Sequence, residues 1–176
     1  MRRHKISIVI FFLPFFIGFL GCRQANTTED YLLSFSDTIN DTYGYKDQKG
    51  DTIIPLGKYT MCFTDTLRTY AFVLKAQSGF VAIDRNENFL YKVFPFDNGP
   101  DYASDGTFRI VENNKIGFAD SASGKIIIQP QFDCAFPFEN GRAKVSTDCK
   151  SESDDEHAAW LSDHWYYIDK TGKKVD

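Results

Sequence analysis

The residue types best suited to chemistry gather late in the chain. Cys134 and Cys149 are followed by the acidic run Glu152-Ser153-Asp154-Asp155-Glu156, and then by His157, Trp160 and His164. Two thiols and two imidazoles are a zinc-type ligand set, but the order C-x14-C-x7-H-x6-H fits no zinc spacing. The acids lack the alternating oxygen ligands and the glycine of a calcium loop. No metal is expected, and a solvated acidic loop accounts for the run. Nucleophilic catalysis would have to pair Cys134 or Cys149 with one of these histidines, and nothing in the spacing specifies that pair. No G-x-S-x-G elbow, P-loop, H-E-x-x-H or G-x-G-x-x-G occurs, so no catalytic residue and no cofactor is assigned. Two readings of the cysteines stay open. Cys134 and Cys149 form a disulfide at the base of this segment and leave Cys62 as an odd thiol, or all are buried free thiols. His157, Trp160 and His164 are kept as candidate loop-site residues.

Which reading applies depends on compartment, and the N-terminus speaks to that. A basic Met1-Arg2-Arg3-His4-Lys5 precedes an apolar run from Ile6 to Leu20, which Pro14 interrupts, and then Gly21-Cys22. The run is short for a membrane span, which needs about 20 apolar residues. It reads as the core of a signal peptide over residues 1–21. Phe19-Leu20-Gly21-Cys22 resembles the lipobox of bacterial lipoproteins, with phenylalanine where leucine is commonest. The resemblance implies cleavage before Cys22, diacylation of its thiol and fatty acylation of the new N-terminus. It also implies a lipid-anchored place in the bacterial cell envelope, with the outer membrane as the expected site. Several acyl chains hold a protein firmly where one holds it marginally.

Residues 22–42 then read as a lipidated N-terminus and polar tether, in which Tyr31-Leu32-Leu33-Ser34-Phe35 could form a first strand. Asp37-Thr38-Ile39, Asp51-Thr52-Ile53, Asp65-Thr66-Leu67 and Asp120-Ser121-Ala122 resemble a short O-glycosylation acceptor of some Gram-negative exported proteins, and Thr38 is the best placed. Without residues 1–21 the 20 basic residues fall to 17 against 24 acids, a net charge of −7. Nucleic acid is therefore not an expected partner, since that binding draws on basic side chains. Intrinsic disorder is also excluded, because 28 aromatic residues can bury far more surface than a disordered chain carries.

The elements that would hold these residues come from an internal repeat. Tyr43-Gly44-Tyr45-Lys46-Asp47, Phe80-Val81-Ala82-Ile83-Asp84, Ile116-Gly117-Phe118-Ala119-Asp120 and Trp165-Tyr166-Tyr167-Ile168-Asp169 each end in an aspartate before a turn. Aspartate caps turn amides, and a left-handed glycine, or Asn88 in the second copy, closes a hairpin. Apolar return strands follow at Thr52–Ile54, Phe89–Tyr91 and Lys125–Ile128, and Pro55, Pro95 and Pro130 are expected to end regular pairing. Third strands are expected at Tyr70–Leu74, Phe108–Val111 and Arg142–Val145, the last two with Phe108/Ile110 and Ala143/Val145 facing inward. The fold expected is all-β, a tandem array of about three antiparallel three-stranded repeats plus a C-terminal half repeat. The units run over 43–77, 78–114, 115–164 and 165–176, with an insertion at 147–164 marked by the wider spacing of the last aspartate.

Residues 116–145, I-G-F-A-D-S-A-S-G-K-I-I-I-Q-P-Q-F-D-C-A-F-P-F-E-N-G-R-A-K-V, resemble the WG-repeat family, and W-Y-Y-I-D-K-T-G-K-K-V resembles the start of the same pattern. The resemblance spans residues 43–176, although no copy has the Trp-Gly dipeptide itself. It implies an all-β array and no shared catalytic residues. The repeat aromatics are then core residues, and the aspartates and glycines turn formers. The function expected is a non-enzymatic, membrane-anchored module that binds an envelope protein or glycan. The rivals are a hydrolase of envelope polymers using acidic residues or the insertion, and a passive spacer. The anchor has a direct test: fatty-acid label should enter the chain in cells and vanish with Cys22→Ser, and label retained in that variant would refute a lipid on Cys22.

Overall fold

The structure is a computed structural model that describes residues 30–154 and 157–176, with the side chains of 153–158 outside that description. Cys22, the leader, the start of the tether (residues 22–29) and the end of the acidic run therefore lie outside the described residues. Everything described is strand, turn or loop, and all the pairing is antiparallel.

Four three-stranded meanders make up the array. The first is β1 (Leu32–Asp37), β2 (Thr42–Lys46) and β3 (Thr52–Tyr59), followed by short strands β4 (Met61–Cys62) and β5 (Thr66–Leu67). The second is β6 (Tyr70–Lys75), β7 (Gly79–Asp84) and β8 (Phe89–Val93), followed by β9 (Pro95–Phe96) and β10 (Gly99–Pro100). The third is β11 (Thr107–Glu112), β12 (Lys115–Asp120) and β13 (Ile126–Phe132), followed by β14 (Cys134–Ala135). In the fourth, β15 (Ala143–Ser146) is separated from β18 (Tyr166–Ile168) and β19 (Lys174–Val175) by an inserted hairpin, β16 (Lys150–Asp154) and β17 (His157–Leu161). The linkers stitch neighbours together: β4 pairs with β6, β14 with β15, and β8 directly with β11. Meanders two and three thereby share a seven-stranded sheet, and β5 returns to pair with β1.

The all-β repeat architecture agrees with the sequence pattern, but each unit begins one strand earlier than expected. The strand assigned to the end of one unit is hydrogen-bonded through a tight turn to the aromatic strand of the next, as in β11 with β12 from Thr107↔Asp120 to Glu112↔Lys115. Three units and a half therefore become four whole meanders. The boundary drawn at residue 43 would split the β1–β2 hairpin, where Leu33 pairs with Lys46 and Asp37 with Thr42. In this phase the 147–164 insertion occupies the first turn of the fourth meander. The same turn of the third is only Asn113-Asn114, both at positive φ.

Local chemistry explains the second turn of every meander. Asp47 Oδ1 accepts the amides of Lys49 and Asp51 at 2.9 and 2.8 Å, and Asp84 Oδ1 those of Asn86 and Asn88 at 2.8 Å each. Asp120 Oδ1 accepts Ser123 N at 2.8 Å, and Asp169 Oδ1 accepts Thr171 N and Lys173 N at 2.8 and 3.0 Å. Bonds from the Asn88, Ser123 and Thr171 side chains are the largest cause holding Asp84, Asp120 and Asp169 below the usual carboxylate value. The left-handed position is Gly50, Gly124 or Gly172, but in the second meander it is Glu87 at φ 65° and not Asn88. There the strain is offset by the Glu87 carboxylate, which accepts Lys58 Nζ at 2.6 Å and Tyr59 Oη at 3.1 Å.

The repeat glycines before the turns do a different job. Tyr43 and Tyr45 face Tyr59 and Ile54, and Ile116 and Phe118 face Phe132 and Ile128, so β3 and β13 bulge opposite Gly44 and Gly117. Pro55 and Pro130 sit inside these bulges, where a missing amide costs nothing, so they do not end the strands. A Cβ at Gly117 would lie 2.5 Å from Ile128 O and 2.6 Å from Pro130 N. Val81 fills the matching place in the second meander, where β8 pairs with it directly at Lys92.

Three cores fill the spaces between successive meanders. Leu32, Tyr45, Ile54, Leu67, Val73 and Ile83 form the first, and Ala82, Tyr91, Val93, Phe108 and Ile110 the second. Phe118, Ile128, Phe132, Phe138, Val145 and Ile168 form the third, with Phe118 edge-on to Phe138 at 4.7 Å. Phe108 and Ile110 do face a core, yet Thr107 and Arg109 on the opposite face of β11 are buried as well. The strand lies inside a sheet covered on both sides, so alternation there separates two interiors. Gly117→Ala should lower stability by about 2–4 kcal/mol, because backbone rather than a movable side chain occupies the space. Gly141→Ala, with open space at its Cβ, isolates the strain of a positive φ and should cost about 1 kcal/mol. Equal losses in urea denaturation would contradict the bulge account.

Candidate functional site

A buried ion pair anchors the most feature-rich face. Arg109 lies mid-strand in β11 and Asp101 directly follows β10, and both side chains are almost fully buried. Arg109 donates from its amide and Nε to Asp101 Oδ2 at 2.8 and 2.9 Å, and from Nη2 to Oδ1 at 2.6 Å. Its Nη1 donates to Ala135 O on β14 at 3.1 Å. The guanidinium carbon lies 4.1 Å from the centre of the Phe94 ring and 5.7 Å from that of Phe96. With every carboxylate oxygen engaged, the pair is a clamp between meanders and has no group left for proton transfer.

From this clamp an aromatic stripe runs outward in both directions. Phe96 stacks edge-on with Tyr102 at 5.2 Å. On the other side Phe94 meets Trp160 at 5.9 Å, Trp160 meets Phe136 at 5.4 Å, and Phe136 meets Trp165 at 5.5 Å. Cations follow the rings: Lys144 Nζ is 4.8 Å from the Trp165 ring centre and 5.9 Å from that of Phe136, and Arg142 Cζ is 4.7 Å from that of Tyr167. Phe96, Tyr102, Phe136 and Tyr167 are 45, 50, 41 and 37% exposed, too open for core residues. Tyr167 therefore corrects the core reading of its repeat motif. Ile168 beside it points inward, and strand alternation turns the tyrosine out.

Among the residues singled out from sequence, Cys134 and Cys149 form a disulfide with Cα atoms 5.9 Å apart. It fastens the start of the insertion to β14, next to the Ala135 carbonyl that Arg109 uses. Cys62 is a half-buried free thiol packed against the first core, and burial pushes its pKa up. Trp160 packs back on the array through Phe94 and Phe136. His164 Nδ1 lies 3.0 Å from Asp148 Oδ2, and both side chains are well exposed. The backbone of His157 pairs with Asp154 at the hairpin tip. Trp160 joins the stripe, His164 sits by Asp148, and the side chain of His157 lies outside the described residues. Among the described residues no three His, Cys, Asp or Glu come together to hold a metal ion. Thr38 is exposed in the β1–β2 turn.

Residues 116–148, from β12 into the first turn of the fourth meander, match the family model of the WG containing repeat. The chain carries a WG-containing repeat. No curated protein and no solved structure matches the chain. The matched repeat contributes Phe136, Arg142 and Lys144 to the stripe, while Trp160 comes from the insertion after it. Sequence reasoning missed Asp101, Arg109, Phe94, Phe96 and Tyr102. The available signal was a lone arginine between Phe108 and Ile110 in an otherwise apolar strand. Asp101→Asn should destabilise the domain by about 3–5 kcal/mol by leaving a buried guanidinium without its counter-charge. The double change Asp101→Leu with Arg109→Met should recover much of that loss. A urea midpoint in Asp101→Asn equal to wild type would show the clamp to be dispensable.

Proposed function

We propose that this chain is a lipid-anchored protein of the bacterial cell envelope whose β-repeat domain binds another macromolecule, a protein or a glycan, without catalysing a reaction. The observation that carries the reading is the stripe from Tyr102 to Tyr167, where partly exposed rings follow one another and Lys144 and Arg142 lie over its C-terminal rings. Aromatic side chains with an arginine among them are the composition of binding surfaces, because they give large contact area at little conformational cost. The turn and clamp carboxylates are occupied: those of Asp47, Asp84, Asp120 and Asp169 hold turns, and that of Asp101 holds Arg109. Membrane attachment rests on the lipobox-like Phe19-Leu20-Gly21-Cys22.

The test is affinity capture from solubilised envelope fractions on immobilised chain. Wild type should retain one reproducible protein or glycan, and Phe136→Ala or Tyr102→Ala should lower that retention about tenfold. Retention unchanged in both variants would detach binding from the stripe. Turnover of an envelope polymer by the purified chain would replace the reading with a hydrolase.

A further inference from the structure

The C-terminal end of the stripe is more specific than the rest. The outer face of the β14–β15–β18–β19 sheet holds a shallow groove of about 360 Å³, lined by Phe136, Glu139, Asn140, Arg142, Lys144 and Tyr167, with Pro137 beside them. Register builds it. Lys144 and Tyr167 are a cross-strand pair, and Phe136 N donates to Lys144 O at 2.9 Å on the other side. A ring, an ammonium and a second ring therefore lie in one row across the strands, with Arg142 two residues along the same face. The rigid sheet sets their spacing.

The two cations are unlike the chain's paired ones. Lys58, Lys115, Lys170, Arg85 and Arg109 have carboxylate partners in Glu87, Asp133, Asp105, Asp30 and Asp101. Lys144 has no carboxylate partner among the described residues, Arg142 Nη1 reaches the main-chain oxygen of Asp176 at 3.4 Å, and both cations lie over aromatic rings. In a protein of net charge −7 beyond residue 21, two such cations side by side form a local site for a negative group. The neighbours say what carries it. Phe136 and Tyr167 offer ring surface to the C–H face of a pyranose ring, while Glu139 and Asn140 offer an acceptor and an amide to hydroxyl groups. A protein partner would bury about 800 Å² on each side around an apolar centre, and this groove is small and mostly polar.

We infer that the Phe136–Arg142–Lys144–Tyr167 groove binds a carboxylate-bearing sugar within an acidic polysaccharide. The inference rests on the binding-module reading above and names its ligand class. Its test uses the full chain in detergent with three carboxylated probes, polygalacturonate, alginate and hyaluronate. Methyl-esterified polygalacturonate is the neutral counterpart, and poly-glutamate is a polyanion without sugar rings. At least one carboxylated polysaccharide should bind about tenfold more tightly than both controls, and Arg142→Gln or Lys144→Gln should each weaken that binding about tenfold. Phe136→Ala should weaken it with the circular dichroism unchanged, while Lys75→Gln, on the distant β6, should leave it as in wild type. Failure of all three probes, equal binding of poly-glutamate, or wild-type binding by Arg142→Gln and Lys144→Gln would overturn the inference. If no polysaccharide binds while envelope capture yields a protein that wild type and both variants retain, the sugar assignment falls and the binding module stands. Capture of nothing together with no polysaccharide binding removes both.

Discussion

Arg109 sits where the second, third and fourth meanders come together, and the array around it depends on how its charge is met. Its guanidinium is shut away from water by the Phe94 ring on one side and β14 on the other. Asp101 answers with both carboxylate oxygens, and the same oxygen that takes Nε also takes the Arg109 amide. A buried charge is tolerable only when its partners are complete. The segment from Phe94 to Asp101 is therefore fixed on β11, and the closing bond from Asp101 N to Phe94 O at 2.8 Å fixes it again. The aromatic stripe begins on that fixed segment. Its rings are presented in one row because the polar clamp beneath leaves the linker a single conformation.

What could be read from sequence was what is decided within a few residues. The turn aspartates were legible because carboxylate, amides and left-handed residue all lie within five positions. The phase of the repeat was not. An aromatic strand is flanked by two apolar neighbours, and only the hydrogen-bond ladder tells which one shares its meander. Arg109 was hidden because alternation in β11 assumes one wet face, and β11 has none. Asp101 was hidden because it sits after a short linker strand and nothing in its neighbours marks burial. Tyr167 reads as a core residue from sequence because its type is that of its buried repeat neighbours, and nothing near Phe96 or Tyr102 marks a surface stripe. Tyr167 and Phe136 differ from Ile168 and Ala135 only in which side of the sheet they stand.

Degeneracy among the repeats also has a physical form. Where β3 and β13 bulge, the neighbouring strand needs a residue without a side chain, and Gly44 and Gly117 provide it. Where β8 pairs directly with β7, Val81 is accepted and contributes to the first core. Loss of the glycine and loss of the long bulge are thus one change seen on two strands. The fourth meander varies elsewhere. Its hairpin turn has grown into β16 and β17, with the Cys134–Cys149 bond at the root and Trp160 laid back on Phe94 and Phe136.

The position of β1 has a mechanical meaning. It is an inner strand of its sheet, paired with β2 along one edge and with β5 along the other. Leu32 at its start is locked to Leu67, and Ser34 N donates to Asp65 O at 2.8 Å. Tension arriving from the chain before residue 30 would enter the domain at this strand. It would load two ladders together and not peel one open bond by bond. The β-repeat domain is built to resist being dragged by its N-terminal end.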